Sequence, residues 1–176
     1  TAVANEMNVS RTPVREAFQF LANEGLLELR PNRSAIVNGI TDQYIREHYE
    51  LRILLEGEAC SLATRNRMET SSFFDWITNL PPLCEETLNE YRCFNQEFHL
   101  SIWKAAGNSK MEQILLSLWN GPSFGRCISE LKHTELSLQE HTAILNAIAD
   151  DRPERARCCM QEHIRRSMNS ILTRPR

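Results

Sequence analysis

Asn95 and His99 stand four residues apart, a spacing that puts both side chains on one face of a helix. Far downstream lie His141 and His163, and each of the three histidines falls in an apolar stripe with the three- or four-residue helical step. Around His99 the stripe is Phe98, Ile102, Trp103 and Ala106; around His141 it is Ile144, Leu145 and Ile148; around His163 it is Ala156, Cys159, Met160, Ser167 and Ile171. Three helices that turn imidazoles inward are either a metal site or an unusual set of hydrogen-bonded core histidines. Three neutral imidazoles suit a borderline divalent ion such as zinc or nickel. Such a centre could activate water in a metal-dependent hydrolase or lyase. The general bases at hand, Glu97 and Glu140, each neighbour an inward position and are rotated from it by about 100° around the helix, so both are expected to point elsewhere. His48 and His133 fall off the apolar stripes and are expected at the surface.

The elements that must carry these residues are helical. From about Asp42 to Asn66 one long helix is expected, capped by Thr41 or Asp42, with Leu51, Leu54, Leu55 and Leu62 on one face. Ile45, Tyr49, Arg52, Glu56 and Ala59 line the adjacent face. Arg52 could hold an anionic ligand bidentately; its alternative is an ion pair with Glu56 one turn on. Thr70, Ser71 or Ser72 can cap a short helix to about Thr78, which Pro81 and Pro82 break. Further helices are expected over Glu85–Ala106, Met111–Trp119, Phe124–His133, Ser137–Ala149 and Pro153–Leu172, separated by Gly107, Gly121-Pro122 and the Asp150–Pro153 turn. Residues 40–176 therefore read as an all-helical bundle.

Residues 1–39 have another pattern. A short helix over Ala2–Met7, a turn at Asn8-Val9, and a second helix from Ser10 or Thr12 to Asn23 are followed by Gly25 as a left-handed cap. Val14, Ala17, Phe18 and Leu21 form that helix's expected buried stripe, with Arg11 and Arg15 opposite. Leu26–Leu29 and Ala35–Val37 are short β-like runs joined by a turn carrying Arg30 and Arg33. Helix, turn, helix and basic-tipped hairpin make a winged helix-turn-helix, with the second helix entering the major groove by its N-terminal end. Arg11 and Arg15 would reach phosphates or guanine edges, and Arg33 the backbone or minor groove.

Composition is that of a core-forming protein, with 41% hydrophobic and 24% charged residues among 176. No apolar run approaches the roughly 18–20 residues that span a bilayer. A net charge of −3 gives nucleic-acid binding no bulk support, so it rests on where the arginines point. The six cysteines show no C-x-x-C pairing, which favours structural thiols in a reduced, cytoplasmic protein.

The run Asn8-Val9-Ser10-Arg11-Thr12-Pro13-Val14-Arg15-Glu16-Ala17, with Leu21-Ala22-Asn23-Glu24-Gly25-Leu26-Leu27 and Arg30-Pro31-Asn32-Arg33, resembles the DNA-reading half of GntR-family transcription regulators. That resemblance implies operator contacts by Arg11, Thr12 and Arg15. The family pattern has a helix before Ala2 that this sequence lacks. Residues 40–176 resemble the FCD-type effector domain of the same family. The resemblance rests on Tyr49-Glu50-Leu51-Arg52, Leu55-Glu56-Gly57-Glu58-Ala59, Phe98-His99, Ala105-Ala106-Gly107-Asn108, Glu140-His141-x-x-Ile144-Leu145 and His163. It implies a divalent metal held by an aspartate and three histidines, here Asn95, His99, His141 and His163, with Asn95 the departure from the pattern. It further implies a small carboxylate effector beside the metal, near Arg52 and Ser167, and a homodimer, more often a repressor, on double-stranded operator DNA. The expected fold is mainly α: a partial winged helix-turn-helix with a small β-hairpin wing, then an FCD-type bundle. A helical ligand-binding domain with a truncated or vestigial DNA reader is the remaining alternative.

Overall fold

The computed structural model describes residues 2–31, 34–119 and 130–173. Packing divides the chain into Thr1–Tyr44 and Ile45–Arg176, a boundary inside the first turn of the long helix rather than at Gly39.

In the first unit, α1 (Ala2–Glu6) and α2 (Arg11–Asn23) precede β1 (Leu27–Leu29) and β2 (Ala35–Val37). The strands pair antiparallel, Leu27 opposite Val37 and Leu29 opposite Ala35. Gly25 ends α2 in the left-handed region (φ 75°), with its N–H bonded to Ala22 O and that of Leu26 to Leu21 O. The stripe on α2 is shallower than its spacing suggests: Val14, Phe18 and Leu21 are half-buried and Ala17 is exposed. Two short helices and a two-stranded ribbon have too little mass to enclose a core, and only Ala4 and Leu27 are buried among the described residues of this unit.

The second unit is a helical bundle: α3 (Asp42–Arg65), α4 (Ser71–Asn79), α5 (Leu88–Ala105), α6 (Ser109–Trp119), α7 (Glu130–Ala149) and α8 (Pro153–Leu172). Thr41 caps α3, its Oγ1 accepting the Tyr44 N–H at 3.1 Å. Only half of the leucine-rich face of α3 meets the core, where Leu55 and Leu62 pack at its edge. Leu51 and Leu54 are 50% and 63% exposed, whereas Ile45, Tyr49, Ile53, Ala59, Cys60 and Ala63 are buried. Small residues decide this orientation, because neighbouring backbones approach closest where side chains are smallest. A Cβ placed on Gly57 would stand 2.7 Å from Gln161 Cγ of α8.

Two helix boundaries also differ from expectation. α5 starts at Leu88 because Thr87 Oγ1 accepts the Cys84 N–H and donates to Pro82 O, holding residues 84–87 as a turn. α7 runs unbroken through His133–Ser137, since no glycine or proline interrupts residues 130–149; the helix expected from Phe124 begins outside the described residues. Asp151, left-handed at φ 54°, closes α7 through bonds from Asp151 N to Ile148 O and from Arg152 N to Ala147 O, so α8 can return alongside it. The core joins Phe73, Phe94, Phe98, Ile102, Trp103, Ile144, Leu145, Met160 and Ile164. The described cysteines are free thiols, and Cys93 and Cys158 are exposed rather than part of the core. No helix among the described residues is long and apolar enough to cross a membrane.

A candidate metal centre

His99 of α5, His141 of α7 and His163 of α8 converge in the core, 1%, 1% and 3% exposed. Their nearest ring nitrogens all lie within 4.8 Å of one another, and His141 Nε2 is 3.3 Å from His163 Nε2. That separation matches the edge of a tetrahedron of nitrogens about 2.0–2.1 Å from a zinc ion, which is about 3.3 Å. Aromatic rings fix the walls: the Phe98 ring lies 4.2 Å from that of His141, and the Trp119 ring 5.1 Å from that of His99.

Behind two of the histidines stand carboxylates. His99 Nδ1 meets Glu56 Oε2 at 2.6 Å, and His163 Nδ1 meets Glu140 Oε2 at 2.7 Å. An ionised carboxylate only accepts, so both imidazoles donate from Nδ1 and leave Nε2 as the ring nitrogen that could meet an ion. Each carboxylate is held in turn by an arginine. Arg52 Nη2 and Nε reach Glu56 Oε1 at 2.7 and 2.9 Å, while the Trp103 Nε1–H donates to Oε2 at 3.3 Å. Arg166 clamps both Glu140 oxygens, from Nε to Oε1 at 2.5 Å and from Nη2 to Oε2 at 2.7 Å. Its Nη2 also donates to Ser137 Oγ and its Nη1 to His133 Nδ1.

The electrostatics fit neutral ligands beside charged carboxylates. Burial, reinforced by nearby His99 and only partly opposed by Glu140, holds the His163 ring down to about 4. Burial and the neighbouring His163 hold His141 well below the usual histidine range. Burial resists ionising Glu56, but Arg52 and then His99 outweigh it and bring its carboxyl to about 2. Glu140 is likewise lowered, the bonds from His163 and Arg166 overcoming its burial. His141 and His163, uncharged near neutrality, have the chemistry a divalent ion needs.

The sequence-derived residues fare unequally. Asn95 is half-buried on α5, one turn before His99, and Ser167 is half-buried on α8, one turn after His163. Arg52 is paired with Glu56 and lies over the Tyr49 and Trp119 rings, 5.1 and 5.2 Å from its guanidinium carbon; the ion-pair alternative describes it. Glu140 does not point away, because antiparallel α8 lies beside α7 and brings His163 within reach. Glu97 is exposed as expected. His48 is buried rather than at the surface, and His133 is half-buried against Arg166. Spacing along one helix cannot register partners that a neighbouring helix brings, so Glu56, Glu140 and Arg166 become visible as histidine partners only in the fold. In the first unit Arg11, Thr12 and Arg15 are exposed on the opening turns of α2, and Arg33 lies outside the described residues.

Comparison with known proteins agrees with this architecture. Residues 47–166 match the FCD domain, and residues 1–37 match the bacterial regulatory proteins of the gntR family. The Nta operon transcriptional regulator of Aminobacter aminovorans is 26% identical over 172 residues, covering 97% of this chain and 81% of the relative. The gluconate operon transcriptional repressor of Bacillus subtilis is 46% identical over 54 residues, 31% of this chain and 22% of the relative. Among solved structures, E. coli McbR/YncC superimposes with a TM-score of 0.70 at 20% identity, over 97% of this chain and 84% of that one. The Aminobacter and Bacillus relatives are named as transcription regulators, not enzymes. The hydrolase or lyase alternative falls with them, and its candidate base Glu140 is occupied by Arg166 and His163.

Proposed function

The chain belongs to the FCD-bearing gntR family of bacterial transcription regulators, and from that premise we propose that it is an operator-binding repressor governed by a metal-centred effector site. The ion is of the zinc or nickel class, held by His99, His141 and His163, with Asn95 as a weak fourth donor. One observation carries the reading: three buried imidazoles meet within 4.8 Å, two of them backed by carboxylates at Nδ1. A bound ion would supply Lewis acidity and open positions for a small carboxylate effector. His163 and His99 are oriented for it by Glu140 and Glu56, and the Phe98, Trp103 and Trp119 rings keep water out. Because Arg52 is spent on Glu56, an effector carboxylate would meet the ion and Ser167 before it met Arg52.

Operator recognition falls to Arg11, Thr12 and Arg15 at the start of α2, with Arg33 at the wing. Arg11 and Arg15 supply cationic donors for phosphates or guanine edges, and the Thr12 hydroxyl a shorter one. A homodimer in the cytoplasm would present two such heads to half-sites related by a two-fold axis, about one helical turn of DNA apart. Effector binding would change how readily both heads fit at once.

Metal analysis of the purified protein tests the reading. About one ion per chain is expected, absent from His141→Ala and bound more tightly in Asn95→Asp, which adds an anionic donor. A metal-free native protein that stays metal-free on titration with zinc and nickel, while His141→Ala responds to effector as the native protein does, sinks it.

A further inference from the structure

Two chains of the same chemistry enter the centre from different helices. Arg52, Glu56 and His99 link α3 to α5; Arg166, Glu140 and His163 link α8 to α7. In both, an arginine fixes a carboxylate and the carboxylate takes the Nδ1 hydrogen bond of a ligand histidine. His141 has another environment, facing His163 through Nε2. The donors themselves are neutral, since an amide stands at position 95.

We infer that Glu140 and Glu56 set the metal affinity of this centre, strengthening from behind two of its histidines as donors where Asn95 brings no carboxylate. The inference rests on the metal reading above. A carboxylate at Nδ1 raises the basicity of the imidazole and locks its Nε2 toward the ion, and loss of such partners costs metal affinity. Glu56 is wholly buried, and its removal would strand the Arg52 charge in the core. Glu140 is the residue to change, because its side chain is 29% exposed and Arg166 can turn to solvent.

Metal-free protein is titrated with zinc against a chromophoric chelator, for the native chain and for Glu140→Gln, Glu140→Asp and His163→Ala. Glu140→Gln keeps shape and an acceptor but removes the charge; its affinity should fall about ten- to a hundredfold, with Glu140→Asp recovering part of the loss. Glu140→Gln indistinguishable from native, while His163→Ala abolishes binding, overturns the inference and leaves the metal reading standing. Native protein that binds zinc no better than His163→Ala fells both. If Glu140→Gln does not fold without metal, long-range proton–nitrogen spectra of the zinc-loaded native chain decide. Nδ1 protonated and Nε2 bound on both His99 and His163 supports the inference; ligation through Nδ1 of either overturns it.

Discussion

Burial of the His48 ring, with the Arg52 guanidinium one turn away, holds its pKa down to about 4, despite a bond to the Leu118 carbonyl and the charge of Glu56. The neutral ring is thus the native form, and below its ordinary value of 6.5 the unfolded chain takes up a proton that the native one refuses. The stability tied to this group is complete above pH 6.5 and drains away as the pH falls toward 4. Its upper bound is about 3 kcal/mol. Urea unfolding of metal-free protein between these limits should show it, and His48→Gln should flatten the slope by close to one proton. Equal slopes would mean that the ring is already protonated in the native state. The same residue shows what spacing leaves out. Periodicity turned His99, His141 and His163 inward correctly, because a core stripe is written along each helix. His48 was misplaced because its cover, the end of α6, comes from a distant part of the sequence.

At the scale of elements, the approach of α3 to α8 hangs on Gly57, above which Gln161 lies so close that an added Cβ would fall 2.7 Å from Cγ. Alanine gains about 1 kcal/mol over glycine inside a helix, yet here it must first displace a half-buried side chain. Gly57→Ala alone is expected to gain little or to lose up to about 1 kcal/mol, since overpacking offsets propensity. In a Gln161→Ala background the same change should stabilise by close to the full propensity difference. Thermal or urea melts of the four proteins close this cycle, and additive effects would show that the two helices do not meet there. α8 was legible to its ends, Pro153 and Leu172, since a first-turn proline and the Asp150-Asp151 turn mark its start. The start of α5 was not, because Thr87 spends its hydroxyl on the Cys84–Pro82 turn rather than on a longer helix. On α3 spacing leaves open which of two adjacent faces is buried, and the small residues Gly57, Ala59 and Ala63 mark it.

For the molecule as a whole, a metal ion held on α5, α7 and α8, with Glu56 of α3 behind it, would add a further tie among four helices that already share one core. No comparable set of ligands exists once the chain unfolds, so the free energy of binding adds directly to stability. With free zinc at a hundred times its Kd the gain is about 2.7 kcal/mol, and at a thousand times about 4.1 kcal/mol. For a unit the size of Ile45–Arg176, the smaller gain corresponds to a rise in Tm on the order of 10 °C. Calorimetry of the intact chain across a zinc series should show Tm climbing with the logarithm of free metal, and a chelator should reverse it. His163→Ala, lacking one ligand and the partner of Glu140, should melt at a temperature independent of zinc. A native Tm equally insensitive to zinc would leave the imidazole cluster as a hydrogen-bonded core feature. The Arg–Glu pairs would then be its purpose rather than its support.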